Sequence, residues 1–157
     1  MIRMNKLTDY GIVLLTHLAR ENGTPVHSAR DLAESSRLPA PTVNKLLKKL
    51  SQARLLTSHR GVNGGYTLAK DAAKISVAEA ISALEGPIAI TECSSTTGAC
   101  TFEQICPNRS GWRNISQAIR LTLENLSLQD IAHPNINSTP PESAGATNGW
   151  SLPRTKV

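Results

Sequence analysis

The chain has 157 residues, 39% of them hydrophobic and only 3% aromatic, which is the length of one ordinary domain or two small lobes with an aliphatic core. It lacks a run of about 18 apolar residues and begins with a short polar stretch, so we expect no membrane span, no signal peptide and a cytoplasmic location. Its net charge of +5 is uneven, because residues 1–70 carry 11 Lys and Arg against 4 Asp and Glu whereas residues 71–133 carry 4 against 7, and a basic first half is typical of a polyanion-binding lobe.

Three short helices are predicted in the basic half. The first covers about residues 8–21, with Thr8 or Asp9 as its N-cap because either side chain can accept from a free backbone N–H. The second covers residues 28–36 and begins with the capping-box pattern of Ser28 and Asp31. A third helix is predicted from Ala40-Pro41 to about Ala53, because apolar residues repeat there at helical spacing: Val43, Leu46, Leu47 and Leu50.

A β-hairpin follows the third helix. Residues 55–60 have the pattern of a strand, residues 61–65 are a glycine-rich turn, and residues 66–68 form the returning strand. Three helices and a glycine-tipped hairpin, in that order, indicate a winged helix-turn-helix.

The less basic half contains two further predicted helices. One covers residues 77–85 and stops at Gly86-Pro87, and the other covers residues 110–126 with apolar residues at steps of three and four. Residues 88–109 between them are expected to be irregular, and residues 127–130 to form a short turn. Residues 134–157 contain four prolines and little that would form a core, so we expect a disordered tail.

The face of the third helix that lies opposite its apolar stripe is basic and free of acidic residues. Asn, Gln and Lys side chains on such a face can bond base edges and phosphates in a DNA major groove. A merely solvated face is the alternative, although it would more often mix Glu with Lys. The candidate contacts on this helix are Pro41, Thr42, Asn44, Lys45, Lys48, Lys49 and Gln52, and those on the hairpin are Arg60, for which solvent exposure is the alternative, and Asn63.

All the cysteines lie in the irregular segment, at Cys93, Cys100 and Cys106. Three thiolates with C-x6-C-x5-C spacing in a reducing compartment favour an iron–sulfur cluster, since thiolates are soft donors. Zinc, a thiol switch and a structural role stay open, although zinc sites usually contain closer cysteine pairs and four ligands. A fourth donor is required, and candidates are Asp9, Glu92, Glu103, Asn108, a hydroxyl group, an exogenous thiol, His133 or His59.

These stretches together resemble the Rrf2 family of bacterial transcription regulators. The resemblance covers about residues 1–133 and includes Leu7 to Gly11, Pro39 to Leu50, the hairpin from Arg60 to Leu68 and the three cysteines. Residues 38–43 and 85–93 look like the branch that regulates the SUF iron–sulfur assembly operon.

The resemblance implies a homodimer paired through the long C-terminal helix, and a cluster held by Cys93, Cys100 and Cys106. A 2Fe–2S cluster is favoured and a 4Fe–4S cluster is possible. It also implies binding to pseudo-palindromic double-stranded DNA, as two-fold symmetry requires. Some relatives supply a histidine where this chain has Arg109, so that ligand is absent here. Others supply an acidic residue from the first helix of the partner subunit, and Asp9 matches that position.

The fold is therefore expected to be mainly α with a small β-hairpin wing, a winged helix-turn-helix joined to a long C-terminal dimerisation helix. The expected organisation is a DNA-binding domain at 1–70, a cysteine sensor loop and dimerisation helix at 71–133, and a tail at 134–157. The expected function is an iron–sulfur-sensing regulator, not an enzyme, that represses SUF assembly genes. A nitric oxide or redox sensor of the same family and a zinc-stabilised DNA-binding protein are the alternatives.

Overall fold

The structure, a computed structural model, describes residues 4–21, 25–95, 98 and 100–134. It is mostly helical with one two-stranded hairpin in the described part, as predicted. None of the helices in these ranges has the length and apolar character needed to cross a membrane. The predicted tail lies outside the described residues, apart from its first residue.

The basic half begins with α1 (Lys6–Arg20) and α2 (Ala29–Ser36). The Asn5 side chain caps α1 by accepting from the backbone N–H of Leu7 at 3.0 Å, so the prediction that Thr8 or Asp9 caps it is wrong. The predicted capping box of α2 is confirmed, since the side chains of Ser28 and Asp31 each accept from the other residue's backbone N–H.

The third helix, α3 (Ala40–Gln52), has the predicted bounds to within a residue. Its C-terminal turn closes as a Schellman motif, because Leu55 N–H donates to the Leu50 carbonyl and Arg54 N–H to that of Ser51, both at 3.0 Å. Arg54 occupies the left-handed position of this motif at φ 59°, where glycine is the usual residue.

The hairpin consists of β1 (Leu56–His59) and β2 (Gly65–Leu68), paired antiparallel with Leu56 opposite Leu68. His27 adds an isolated bridge to Tyr66, with backbone hydrogen bonds of 3.1 and 2.8 Å, which the sequence did not predict. A Cβ on Gly65 would lie 2.2 Å from the His27 carbonyl oxygen, so glycine at this position permits the close approach.

The second half contains α4 (Val77–Glu85), α5 (Glu92–Ser95), α6 (Arg109–Glu124) and α7 (Leu128–Ala132), with a 3₁₀ turn at Ala72–Lys74 before them. The prediction of α4 is confirmed, and α6 ends two residues earlier than predicted. The cysteine segment was expected to be wholly irregular, but α5 is a short helical turn within it. The predicted turn at 127–130 is the capped start of α7.

The buried core is aliphatic, as the composition predicts, and it is built mainly by α1 and α3. Helix α1 packs against α2, α3, α4 and α7. Residues from beyond position 70 complete the same core, so the basic and less basic stretches share it. Fully buried members are Leu14, Leu15, Leu32, Val43, Leu47, Leu50, Leu55, Ile75 and Leu128.

Candidate functional site

The basic face of α3 is exposed, while its opposite side is fixed in the core. The stripe of Val43, Leu46, Leu47 and Leu50 is buried against neighbouring helices, which include α1 and α2. Because the anchored side cannot rotate outward, the remaining positions face solvent as a fixed set. Exposed residues of this set are Pro41, Asn44, Lys45, Lys48 and Gln52, and Thr42 is half-buried at its edge.

Lys49 is also exposed, but its side chain differs from those of this set by having a partner within the chain. Its side-chain ammonium donates to the backbone carbonyl of Leu84, near the C-terminal end of α4. The residue was predicted as a DNA contact, but the structure directs its charged group to another helix of the chain. Helical spacing alone placed it on the flank of the basic face, so only the position of α4 distinguishes it from Lys45 and Lys48.

The hairpin presents its turn to solvent. Arg60 and Asn63 are exposed beside it, and Val62 between them is fully exposed. Across the two strands, His59 Nε2 lies 3.0 Å from Thr67 Oγ1, a hydrogen bond that ties the base of the hairpin. The hairpin therefore presents the guanidinium of Arg60 and the amide of Asn63 to solvent at its turn.

The three cysteines are free thiols. Cys93 is buried on α5, with its Sγ 3.2 Å from Thr91 Oγ1, whereas Cys100 and Cys106 are half-buried. Within the described residues, no three His, Cys, Asp or Glu side chains are grouped closely enough to hold a metal ion. The structure thus places the thiols on one segment but does not gather them around a common point.

Glu103 organises this cysteine segment. Only 5% of it is exposed, and both of its carboxylate oxygens have partners. One accepts from Arg109 Nη2 at 2.5 Å and the other from the backbone N–H of Gly98 at 2.5 Å. Charge-assisted hydrogen bonds of this kind stabilise a buried carboxylate that would otherwise be costly. Glu103 therefore links the middle of the segment to the start of α6.

The role of Glu103 was not evident from sequence, where it was only one of several candidate donors. An acid and a base six residues apart in a polar segment are consistent with many arrangements. Arg109, at the position for which the family resemblance suggested a histidine ligand, is the ion-pair partner of Glu103.

Asp9 lies exposed in the first turn of α1. The capping role that competed with metal ligation is filled by Asn5. Among the described residues, the Asp9 carboxylate has neither a side-chain hydrogen bond nor an ion pair, so it is available to a group outside this chain.

Helix α6 has an apolar stripe that the described residues cover only in part, since Trp112 and Ile115 are exposed and Ile119 and Leu123 are half-buried. Ser116 is its buried residue, and its Oγ accepts from the Ile90 N–H at 3.1 Å where α6 packs beside α4 and α5. The stripe recurs at steps of three and four, and Ile115 is 46% exposed. Its members are Trp112, Ile115, Ile119 and Leu123.

Comparison with known proteins agrees with this geometry. A family model described as "Rrf2: Iron-dependent Transcriptional regulator" matches residues 4–134. The HTH-type transcriptional regulator IscR of Escherichia coli is 26% identical over 156 residues, which cover 99% of this chain and 94% of the relative.

Solved structures of similar proteins share the fold. CymR of B. subtilis, described as its global cysteine regulator, matches with a TM-score of 0.66 and 26% identity, covering 84% of this chain and 97% of that one. IscR of T. potens matches with a TM-score of 0.64 and 27% identity, covering 83% and 85%.

Proposed function

This chain belongs to the Rrf2 family of transcriptional regulators, and from that premise we propose that it acts as a homodimeric, iron–sulfur-sensing repressor of SUF assembly genes. The observation that carries the proposal is the combination of an exposed basic face on α3 with three free thiols on a segment between α4 and α6. The first feature supports an output at DNA, and the second supports a metal-dependent input.

In this proposal α3 is the recognition helix. Lys45 and Lys48 neutralise phosphates, while Asn44 and Gln52 offer the donor and acceptor groups that distinguish base edges in the major groove. Arg60 on the wing contacts an adjacent phosphate or a narrow minor groove. The margins of this proposed DNA-contact surface include Pro41, Thr42 and Asn63. Lys49 is left out of the contact set because its ammonium is bonded to Leu84.

The thiol set suits an iron–sulfur cluster by its chemistry. The cluster would be held by Cys93, Cys100 and Cys106. Asp9 of the partner subunit would complete the ligand set, because Asn5 caps α1 and leaves the Asp9 carboxylate free of that role. The cluster when bound would supply a redox-responsive centre. Residue Arg109 holds Glu103 and is not a ligand in this scheme.

The exposed stripe on α6 supports pairing with a second copy of the chain. Trp112, Ile115, Ile119 and Leu123 repeat at the spacing by which one helix packs into another. A stripe of this kind left in water would be unfavourable, and pairing two copies about a two-fold axis buries it on both. Two-fold pairing also presents two recognition helices to two half-sites.

The chain's own residues connect the two functions. The cysteine segment joins the end of α4 to the start of α6, and Glu103 binds Gly98 and Arg109 across it. In this proposal a change in the conformation of this segment shifts α4 relative to α6, the helix on which α4 packs. Because α4 also packs against α3, the separation of the two recognition helices in a dimer would change with it.

DNA binding is tested by measuring the affinity of the purified protein for duplex DNA at several salt concentrations. We expect affinity to fall steeply with salt because phosphate contacts release counterions. The Lys48→Ala substitution should make the plot of log affinity against log salt less steep, by about one unit of slope. The matched control is Arg30→Ala on α2. Arg30 is exposed, pairs with Glu34 and lies outside the proposed contact set. Equal slopes in all three proteins would contradict the proposed interface.

Cluster binding is tested by anaerobic purification, iron and sulfide counting and a visible absorption spectrum. We expect the wild-type protein to contain iron and acid-labile sulfide and to absorb visible light. The Cys100→Ala protein should lose the iron, the sulfide and the absorption. Zinc without sulfide would establish the zinc-stabilised alternative. The affinity for DNA is then measured with and without the cluster, and again after treatment with nitric oxide or with an oxidant, to separate the sensing alternatives. Equal DNA affinity of the protein with and without the cluster would refute cluster sensing.

A further inference from the structure

The C-terminal end of α4 has carbonyl groups and a negative partial charge that no basic residue of its own last turn compensates. The last carbonyls of a helix lack intrahelical donors and lie at the negative end of the helix dipole. A Lys or Arg in the last turn commonly compensates, but α4 has no basic residue there and ends in Glu85. The N–H of Gly86 bonds the Ser82 carbonyl, so the Leu84 carbonyl requires a donor from elsewhere.

Lys49 of α3 supplies that donor. Its ammonium bonds the Leu84 carbonyl, and its charge lies against the negative end of α4. The contact joins residues 35 positions apart in the chain, on two helices that pack together. Its neighbour Lys48 and its near neighbour Lys45 have no such partner among the described residues. One lysine of α3 therefore differs from the other two, because it is exposed like them but its ammonium bonds another helix of the chain.

The same end of α4 is fixed to α1. The Glu85 carboxylate accepts from the Asn5 N–H at 2.9 Å, at the positive end of α1 where a carboxylate is favoured. Leu84 approaches Gly11 so closely that a Cβ there would lie 2.4 Å from Leu84 Cδ1. The end of α4 is thus held by α1 and α3 together, immediately before the chain turns at Gly86 toward the cysteine segment.

We propose that Lys49 is a positioning residue, which fixes the recognition helix on the C-terminal end of α4 and so sets its angle of approach to DNA. This inference rests on the proposed DNA interface. It assigns Lys49 a different role from Lys45 and Lys48, although the sequence presents all three as one basic face. A phosphate contact contributes to all DNA binding, whereas a positioning contact contributes to the fit to a particular sequence.

The test compares Lys49→Met with Lys48→Met in the full-length protein. Methionine keeps the apolar stem and removes the charged donor, so packing is disturbed little. The probes are a duplex enriched from a random pool by the wild-type protein and a scrambled duplex of equal length. Dissociation constants are measured for both at several potassium chloride concentrations.

We expect Lys48→Met to weaken both duplexes by similar factors and to lower the salt slope by about one. Lys49→Met should weaken the enriched duplex about tenfold, the effect of one charge-assisted hydrogen bond, and the scrambled duplex by less than about twofold, with the slope unchanged. Lys49→Arg should restore the ratio of the two affinities because it keeps a donor. That ratio does not depend on the folded fraction, so simple destabilisation cannot reproduce the effect.

Each other outcome decides against the inference. A lower salt slope in Lys49→Met, matching that of Lys48→Met, would make Lys49 a phosphate contact. An unchanged affinity ratio would show that the contact with Leu84 does not orient α3. If the wild-type protein bound no duplex in a salt-dependent way, the proposed interface would itself be wrong and this inference would fall with it.

Discussion

Gly65, the last of the three glycines in residues 61–65 and the first residue of β2, offers a direct test of how the hairpin is built. Its Cα faces the backbone of His27, and an added Cβ would lie 2.2 Å from the His27 carbonyl oxygen and 2.6 Å from its carbonyl carbon. Both atoms belong to the main chain and cannot rotate away. Gly65→Ala must therefore move the segment around His27 away from β2 by about 1 Å to reach ordinary contact distance.

That movement breaks the isolated bridge between His27 and Tyr66. Its two backbone hydrogen bonds measure 3.1 and 2.8 Å, and a shift of this size lengthens both beyond the bonding range. Each is worth about 0.5–1.5 kcal/mol net, so the loss is about 1–3 kcal/mol. The lower entropy of unfolded alanine offsets about 0.4–1 kcal/mol of it. We expect a net fall of about 1–2 kcal/mol in the free energy of unfolding, which corresponds to about 2–8 °C in Tm for a chain of this length.

The assay is urea unfolding followed by circular dichroism, with a thermal scan at the same protein concentration. Gly111→Ala is the matched control, since its added Cβ meets nothing within 4 Å and lies in α6. There the same chemical change should raise stability, by up to about 1 kcal/mol, through helix propensity. A Gly65→Ala protein as stable as the wild type would refute the argument that the His27 backbone limits this position.

Three further predictions concern local features of the fold. Arg54→Gly should raise the free energy of unfolding by about 1 kcal/mol, because a non-glycine residue at φ 59° is strained, and urea unfolding would measure the gain. Hydrogen bonds from the Ser28 hydroxyl and then its backbone N–H hold the pKa of Asp31 below 3.8, so its stabilising contribution is present above that pH and disappears as the pH falls through the lowered pKa. The stability difference between wild type and Asp31→Asn, followed by thermal unfolding from pH 7 to pH 2, should therefore shrink on acidification, and a constant difference would contradict this reasoning. Glu103→Gln should raise the rate of thiol labelling in the metal-free protein several-fold, because it removes the ion pair with Arg109 that closes the cysteine segment, and an unchanged rate would show that the pair does not order the segment.

Local sequence signals predicted the helices and the hairpin of the basic half well. The bounds of α3 followed from its apolar spacing, and the capping box of α2 followed from Ser28 and Asp31, because both depend on residues within one or two turns. The glycine-rich turn predicted the hairpin for the same reason. The exposed basic face of α3 was also predictable, since burial of one side of a helix fixes what the other side presents.

Features that depend on distant residues were not predictable. The cap of α1 was predicted as Thr8 or Asp9, whereas Asn5 caps the helix and Thr8 is buried within its first turn. The bridge from His27 to Tyr66 joins residues whose spacing has no sequence signature. Glu103 gave no sign of burial, since acids are rarely buried unless a partner reaches them.

The structure also shows where some of the unevenly distributed charges of the chain have their partners. The basic excess of residues 1–70 is not confined to the proposed DNA interface, because the ammonium of Lys49 bonds the C-terminal end of α4. Two acidic residues of the second half also have partners within the chain, since the exposed Glu85 accepts from Asn5 at the start of α1 and the buried Glu103 pairs with Arg109. Of these charges, Lys49 and Glu85 link the two halves to each other, whereas the pair of Glu103 and Arg109 lies within the second half. A substitution that alters the net charge of either half should affect DNA affinity only where the charge faces outward, which makes the contrast between Lys48 and Lys49 the decisive comparison.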